Sequence, residues 1–95
     1  MEFEFAGVVI YWRGPSPFHF VAMPEDQALE LRGVAREVTY GWGVLPVTAR
    51  LGLTEWRTSL FPKDGGYLVP IRDAVRAAEG LELGDATPVE LTVGR

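Results

Sequence analysis

The same succession of strand-like and helix-like segments occurs twice along the chain. This succession restricts the fold more than any other feature of the sequence. Pro24 and Pro70 each follow two short segments in which apolar residues alternate with polar ones, and each precedes a segment with helical spacing. A shift of 46 residues, which superposes the two prolines, also places Val47 on Val93. Few positions are identical after the shift, so an internal repeat and a chance recurrence of element order both stay open.

We interpret this order as one domain over residues 1–95, with half-units of approximately 1–52 and 53–95. The predicted fold is α+β and β-rich: a small β-barrel of the double-split type, with about six strands and two short helices. If the repeat is real, a pseudo-twofold axis relates the halves. Each hairpin then closes the sheet edge of the other half.

The individual elements follow from alternation, helical spacing and turn residues. Asp64 and Gly65 lie in a segment typical of a hairpin loop, because these residue types accept positive φ angles. Gly80 has the position of a left-handed helix stop. We take Pro70 as the end of the strand before it. The predicted strands cover 2–12, 18–23, 44–52, 54–61, 67–69 and 88–93, and the predicted helices cover 24–38 and 71–80.

Four phrases of the sequence resemble the bacterial family called domain of unknown function 1905. They are G-W-G, W-R-T-S-L-F-P, G-G-Y-L-V-P and E-G-L-E-L-G-D, within residues 41–85. The resemblance extends over nearly the whole chain. It implies a split β-barrel related to AbrB-like transition-state regulators and MazE-like antitoxins, and it brings no activity or catalytic residue with it.

Composition limits the kinds of partner. Thirteen acidic residues exceed nine basic ones, the net charge is −4, and the basic residues form no block. Nucleic-acid-binding proteins usually carry a basic patch, so this balance counts against a nucleic-acid partner.

The same composition bears on location. The chain has no cysteine, which excludes disulfides and thiolate metal sites. No apolar run approaches the ~20 residues that span a bilayer, and the N-terminus lacks the basic region of a signal peptide. We therefore expect a cytoplasmic protein without membrane association.

The segment around the predicted hairpin supplies most of the candidate ligand-binding residues. Arg57 and Ser59 share one strand face, Lys63 lies just beyond them, and Tyr67 lies on the facing strand. If this face lines a groove, Arg57 and Lys63 hold an anionic group while Tyr67 stacks on an apolar one. The alternative is a solvated hairpin face whose polar residues simply point outward.

Two tryptophans complete this part of the prediction. Trp42, between two glycines, is either a plug of the barrel core or an exposed anchor, and we include it among the candidate binding residues. If the hairpin has the opposite orientation, the side chain of Trp56 rather than that of Arg57 points into the cleft.

Catalytic and metal chemistry have little support. His19 is the only histidine, and no G-x-S-x-G motif provides a nucleophile for it. The carboxylates have no recognisable metal-ligand spacing, and no glycine-rich segment has phosphate-loop spacing. We predict no cofactor and no metal. Arg72 and Arg76 lie one helical turn apart, where they either approach phosphates or form surface ion pairs.

Three functional hypotheses follow. The first is a non-enzymatic barrel that binds a small ligand, a peptide or a protein partner, as a monomer or weak dimer. The alternative is an AbrB- or antitoxin-like regulator that binds nucleic acid. The third is an enzyme of unknown type.

Overall fold

The protein folds as a closed six-stranded antiparallel β-barrel with two short helices. The computed structural model describes residues 1–13, 17–34 and 45–94. Around the barrel the strands follow the order β1-β2-β5-β4-β3-β6, and every neighbouring pair is antiparallel. This architecture confirms the predicted fold class.

The elements lie close to their predicted positions. The strands are β1 (Glu2–Arg13), β2 (Pro17–Ala22), β3 (Leu45–Leu51), β4 (Thr54–Lys63), β5 (Gly66–Ile71) and β6 (Ala86–Val93), and the helices are α1 (Glu25–Val34) and α2 (Asp73–Glu79).

The strand order is unchanged when the two halves are exchanged. β1 and β4 each pair with the hairpin strand that follows them and with the last strand of the opposite half, while β2 pairs with β5 and β3 with β6. This is the order that a pseudo-twofold axis between half-units requires. The expected division at residue 52 falls in the tight turn between β3 and β4.

Among the boundaries that differ from the prediction, two lie on either side of Pro70. Strand β5 continues through Pro70 to Ile71, so Pro70 does not end it, and α2 begins at Asp73 rather than at residue 71. Pro70 is accommodated because it pairs with Phe20 of β2 while its missing N–H faces the other neighbour, β4. The predicted end of the first helix, residues 35–38, lies outside the described residues.

The core fills the barrel and takes residues from both helices. Ala28 and Leu31 of α1 and Val75 of α2 belong to the same buried cluster as the inward side chains of the strands. Alternate strand residues point inward, which gives β3 its alternation of buried and less buried positions. The largest fully buried side chains are those of Phe20, Leu31, Leu45, Leu51, Leu60, Ile71, Leu91, Val9, Val21, Val47, Val69 and Val89.

Backbone angles confirm the predicted hairpin loop and the predicted helix stop. Asp64 and Gly65 have φ values of 50° and 81° and connect β4 to β5, and Gly80 ends α2 with a φ of 65°. In the following loop Asp85 accepts a hydrogen bond from the backbone N–H of Glu82 at 2.8 Å. Within the described ranges, no helix has the length and apolar character to cross a bilayer.

A seam between β4 and β5 as candidate functional site

The backbone ladder between β4 and β5 is short. It joins Lys63 to Gly66, Pro62 to Tyr67 and Phe61 to Leu68, although both strands continue beyond these pairs. The next hydrogen-bonded pair along this ladder would be Ser59 with Pro70. A proline has no N–H to donate to the Ser59 carbonyl oxygen, so the ladder ends there and the strands separate.

A hydrogen bond on the other side of β5 shows which neighbouring strand the backbone of residue 70 faces. Alternate residues of a strand direct their backbone groups toward opposite neighbours. The N–H of Met23 donates to the carbonyl oxygen of Tyr67 at 3.0 Å, so Tyr67 faces β2. Pro70 is three positions further along and therefore faces β4. We call the separation between β4 and β5 the seam.

The seam opens into a surface cleft of ≈ 340 Å³. Arg72 spans it and donates a hydrogen bond from Nη2 to the carbonyl oxygen of Arg57 at 2.9 Å. Arg72 thus lines the cleft, and the backbone of Arg57 lies beside it, although the Arg57 side chain is not part of the lining. The lining residues are Thr58, Ser59, Phe61, Pro70, Ile71 and Arg72.

The pseudo-equivalent position between β1 and β2 is tightly filled. A Cβ built on Gly7 of β1 would collide with Cγ1 of Val21, which is completely buried. The two halves therefore differ where their hairpin strands part: side chains close one side and an open cleft occupies the other.

Three of the residues expected to bind a ligand lie on the outer surface along one strand. Arg57, Ser59 and Lys63 alternate with the inward residues of β4, of which Leu60 is completely buried. Trp56 also points inward and is 8% exposed, so the facing in which it would look into a cleft is wrong.

Tyr67 lies elsewhere, and its expected grouping with Arg57 is corrected here. The two-residue turn sets Lys63 opposite Gly66, which places Tyr67 opposite Pro62 and on the inner face of the barrel. Tyr67 is 6% exposed and belongs to the core cluster. Trp42, the fifth expected residue, lies outside the described residues.

The sequence analysis did not predict that Pro70 and Arg72 lie beside the outer face of β4. The usable signal was the proline itself, because a proline inside a strand removes one donor from one side of the strand. The neighbour that loses this donor is defined only by the strand order around the barrel.

An apolar face of aromatic rings extends from the cleft. Phe61 packs edge-on against Phe20 with ring centroids 6.2 Å apart, and Phe20 lies 6.0 Å from Trp12. The ammonium of Lys63 lies 4.7 Å from the centroid of the Trp12 ring, a cation–π contact. Phe61 is 41% exposed and Phe20 is buried beside it, so the ring of Phe61 is the part of this cluster that is open to solvent. We call Trp12, Phe20 and Phe61 the aromatic face.

The cations around the cleft are engaged to different degrees. Lys63 contacts the exposed carboxylate of Asp64 at 3.4 Å. Arg76 pairs with Asp73 at 3.1 Å, as the surface ion-pair interpretation predicted. Among the described residues, the Arg57 guanidinium makes no hydrogen bond or ion pair, and Arg57 is exposed. Arg57 is therefore available to an anion.

A second polar surface lies across β6 and β3. Register places Glu4, Glu90, Arg50 and Glu55 in one row across four strands. Arg50 donates from Nε to Glu90 at 2.6 Å, and this partner raises the pKa of Arg50 above its ordinary value. A depression of ≈ 220 Å³ adjoins the row. Because Arg50 is already paired with Glu90, this surface is a weaker binding site for an anion than the seam is.

The single histidine contacts an aromatic ring. His19 lies against Tyr11 with ring centroids 5.1 Å apart. Over the ranges that the structure describes, no three His, Asp or Glu side chains lie close enough together to hold a metal ion.

The fold and the seam define a small closed β-barrel with a cationic and aromatic outer cleft. The sequence matches the family model described as a domain of unknown function (DUF1905) over residues 5–91, and the chain belongs to this family. A search of curated proteins finds no match.

Proposed function

We propose that this protein is a non-enzymatic binding domain whose ligand enters the seam cleft. The ligand combines an anionic group with an apolar or aromatic group, in a small molecule or in a segment of a partner protein. One observation carries the proposal: an open cleft lined by Arg72 and by the exposed ring of Phe61, with the exposed residue Arg57 adjoining it.

The chemistry of the cleft favours this ligand. Guanidinium groups form strong charge-assisted hydrogen bonds with carboxylates and phosphates, and Arg57 has no competing partner in the described part of the chain. Phe61 and Pro70 offer apolar contact beside these charges. The hydroxyl and carbonyl of Ser59 add polar contacts between the two regions.

Binding without catalysis agrees with the residues that line the cleft. Ser59 and Thr58 carry hydroxyls, but among the lining residues that the structure describes there is no histidine or carboxylate to act as a general base. The His19 ring contacts Tyr11 on the β1–β2 side of the barrel instead.

We place the protein in the cytoplasm as a monomer or weak dimer. A chain without cysteine suits a reducing compartment. A barrel that closes within one chain does not need a second copy to pair its strand edges.

A thermal-shift measurement with phenylacetate tests the proposal, because this probe joins a carboxylate to an aromatic ring. At a hundred times its dissociation constant a ligand adds about 2.7 kcal/mol, which raises the Tm of a domain this size by roughly 10 °C. Arg57→Ala should reduce the shift strongly. Arg50→Ala, which removes an arginine that already pairs with Glu90 and lies on the adjacent strand β3, should leave it unchanged.

The contradicting result is an unchanged Tm with phenylacetate, phenyl phosphate and related aromatic anions up to millimolar concentration. An equal loss of the shift in Arg57→Ala and Arg50→Ala would also contradict the proposal, because it would show that only general charge matters.

A nucleic-acid-binding regulator is the second candidate, because aromatic rings beside cations also accommodate bases and phosphates. Labelled duplex and single-stranded DNA at low salt test it, where phosphate contacts are strongest. Absence of binding under these conditions removes this candidate.

A further inference from the structure

The seam cleft and the aromatic face form one continuous strip, and from it we infer the class of ligand. We propose that the partner is an extended peptide with an acidic residue near each end and an aromatic or large apolar residue between them. This inference rests on the proposed function and specifies the ligand of the same site.

The strip follows the outward residues of β4. Arg57, Ser59, Phe61 and Lys63 lie on alternate positions and share the outer face. A strand rises ~3.3 Å per residue, so the six residue steps from Arg57 to Lys63 span about 20 Å. Cations therefore occupy both ends of a strip that is longer than an ordinary metabolite.

The middle of the strip is apolar. Phe61 and Pro70 line the cleft, and Phe61 stacks edge-on against Phe20. Apolar surface continues onto β1, where Ile10 pairs with Phe20 and is 37% exposed. An aromatic side chain from a peptide would find contacts here on more than one side.

The backbone at the seam also fits a peptide. The proline opposite Ser59 cannot donate to its carbonyl oxygen, whereas a peptide lying along β4 carries N–H groups that can. One main-chain acceptor in the centre of the strip thus complements the charges at its ends.

Charge around the strip favours a peptide over a nucleic acid. Glu55 is exposed on the same outer face, two residues before Arg57, and the exposed carboxylate of Asp64 contacts Lys63. A nucleic acid carries a phosphate at every nucleotide, which these carboxylates repel. A peptide with two acidic residues carries negative charge only where the strip has cations.

The test uses two labelled probes and fluorescence anisotropy. The long probe is the peptide Asp-Ala-Ala-Phe-Ala-Ala-Asp, and the short probe is Asp-Ala-Ala-Phe. The long peptide should bind about tenfold more tightly, since it adds one charge-assisted contact. Lys63→Ala should remove this advantage and leave the short peptide unaffected, whereas Arg57→Ala should weaken both.

Two controls make the assignment specific. Arg50→Ala should bind both peptides like the unmodified protein, because Arg50 lies on the adjacent strand β3 and is already paired with Glu90. A peptide with lysine at both ends should bind at least tenfold more weakly. Circular dichroism of each variant checks that the barrel is still folded.

Three outcomes would overturn the inference. Equal affinity for the long and short peptides, or an unchanged length advantage in Lys63→Ala, would show that the strip is not used as a whole. Tighter binding of a seven-nucleotide single strand than of either peptide would assign the strip to nucleic acid. If phenylacetate binds but neither peptide does, the cleft as a binding site stands and the peptide as its ligand fails.

Discussion

Arg72 donates a hydrogen bond to the carbonyl oxygen of Arg57 at 2.9 Å, across the point where the backbone ladder between β4 and β5 has ended. A side chain thus bridges two strands that no longer pair through their own backbones. The cause lies two residues earlier, at Pro70, and the consequence is the cleft that we propose as the binding site.

Replacement of Pro70 by alanine should close the seam. The new N–H faces β4 and should donate to the carbonyl oxygen of Ser59, so hydrogen exchange at residue 70 should be slow. The gained hydrogen bond, about 1 kcal/mol, offsets the greater freedom of the unfolded chain, about 0.4–1 kcal/mol. The free energy of unfolding should therefore change by less than about 1 kcal/mol, while phenylacetate binding weakens.

Pro62→Ala is the matched control. The N–H at this position faces away from β5, so it cannot donate across the seam, and phenylacetate binding should stay unchanged. Rapid exchange at residue 70 in the Pro70→Ala variant would show that the proline does not cause the separation.

Gly52 lies against the Glu79 carboxylate and has a φ of 56°. A Cβ there would displace Glu79, which accepts a hydrogen bond from Thr54 Oγ1 at 2.5 Å. Gly52→Ala should cost about 1–2 kcal/mol for the left-handed backbone and about 1 kcal/mol more for the lost hydrogen bond. Urea denaturation measures the loss.

Gly80→Ala separates these two contributions. Gly80 has a φ of 65° but open space around the added Cβ, so only the backbone cost should appear. If the two variants lose equal stability, the contact between Glu79 and Thr54 does not help to hold the β3–β4 turn to α2.

Substitution of Gly7 should also destabilise the protein. A Cβ at this position meets Val21 inside the core, and overpacking of this kind costs about 1–3 kcal/mol. Val21→Ala alone should also destabilise the protein, by about 2 kcal/mol. In the double variant the two changes compensate in space, so its loss should be smaller than the sum of the single losses. Simple additivity would contradict the contact.

The sequence alone predicted most of the fold because the relevant signals are local. Alternating apolar residues identified the strands, and the left-handed residues Asp64, Gly65 and Gly80 lie where turn and helix-stop chemistry placed them. The strand order fits the suspected pseudo-symmetry of the two halves.

The candidate site was predicted in part, because part of it depends on register. The outward face of Arg57, Ser59 and Lys63 follows from alternation within one strand. Tyr67 was assigned to the wrong face, since its orientation depends on how the two-residue turn pairs the strands. Pro70 contributes through a neighbour that no local pattern identifies.

Chemical-shift mapping of the ¹⁵N-labelled protein with phenylacetate tests the central claim most directly, because it locates the bound ligand without any substitution. The amides of residues 57–61 and 71–72 should shift along saturable curves with one dissociation constant. Shifts confined to the surface around Arg50 and Glu90, with the seam unchanged at saturation, would contradict the claim that the seam binds the ligand.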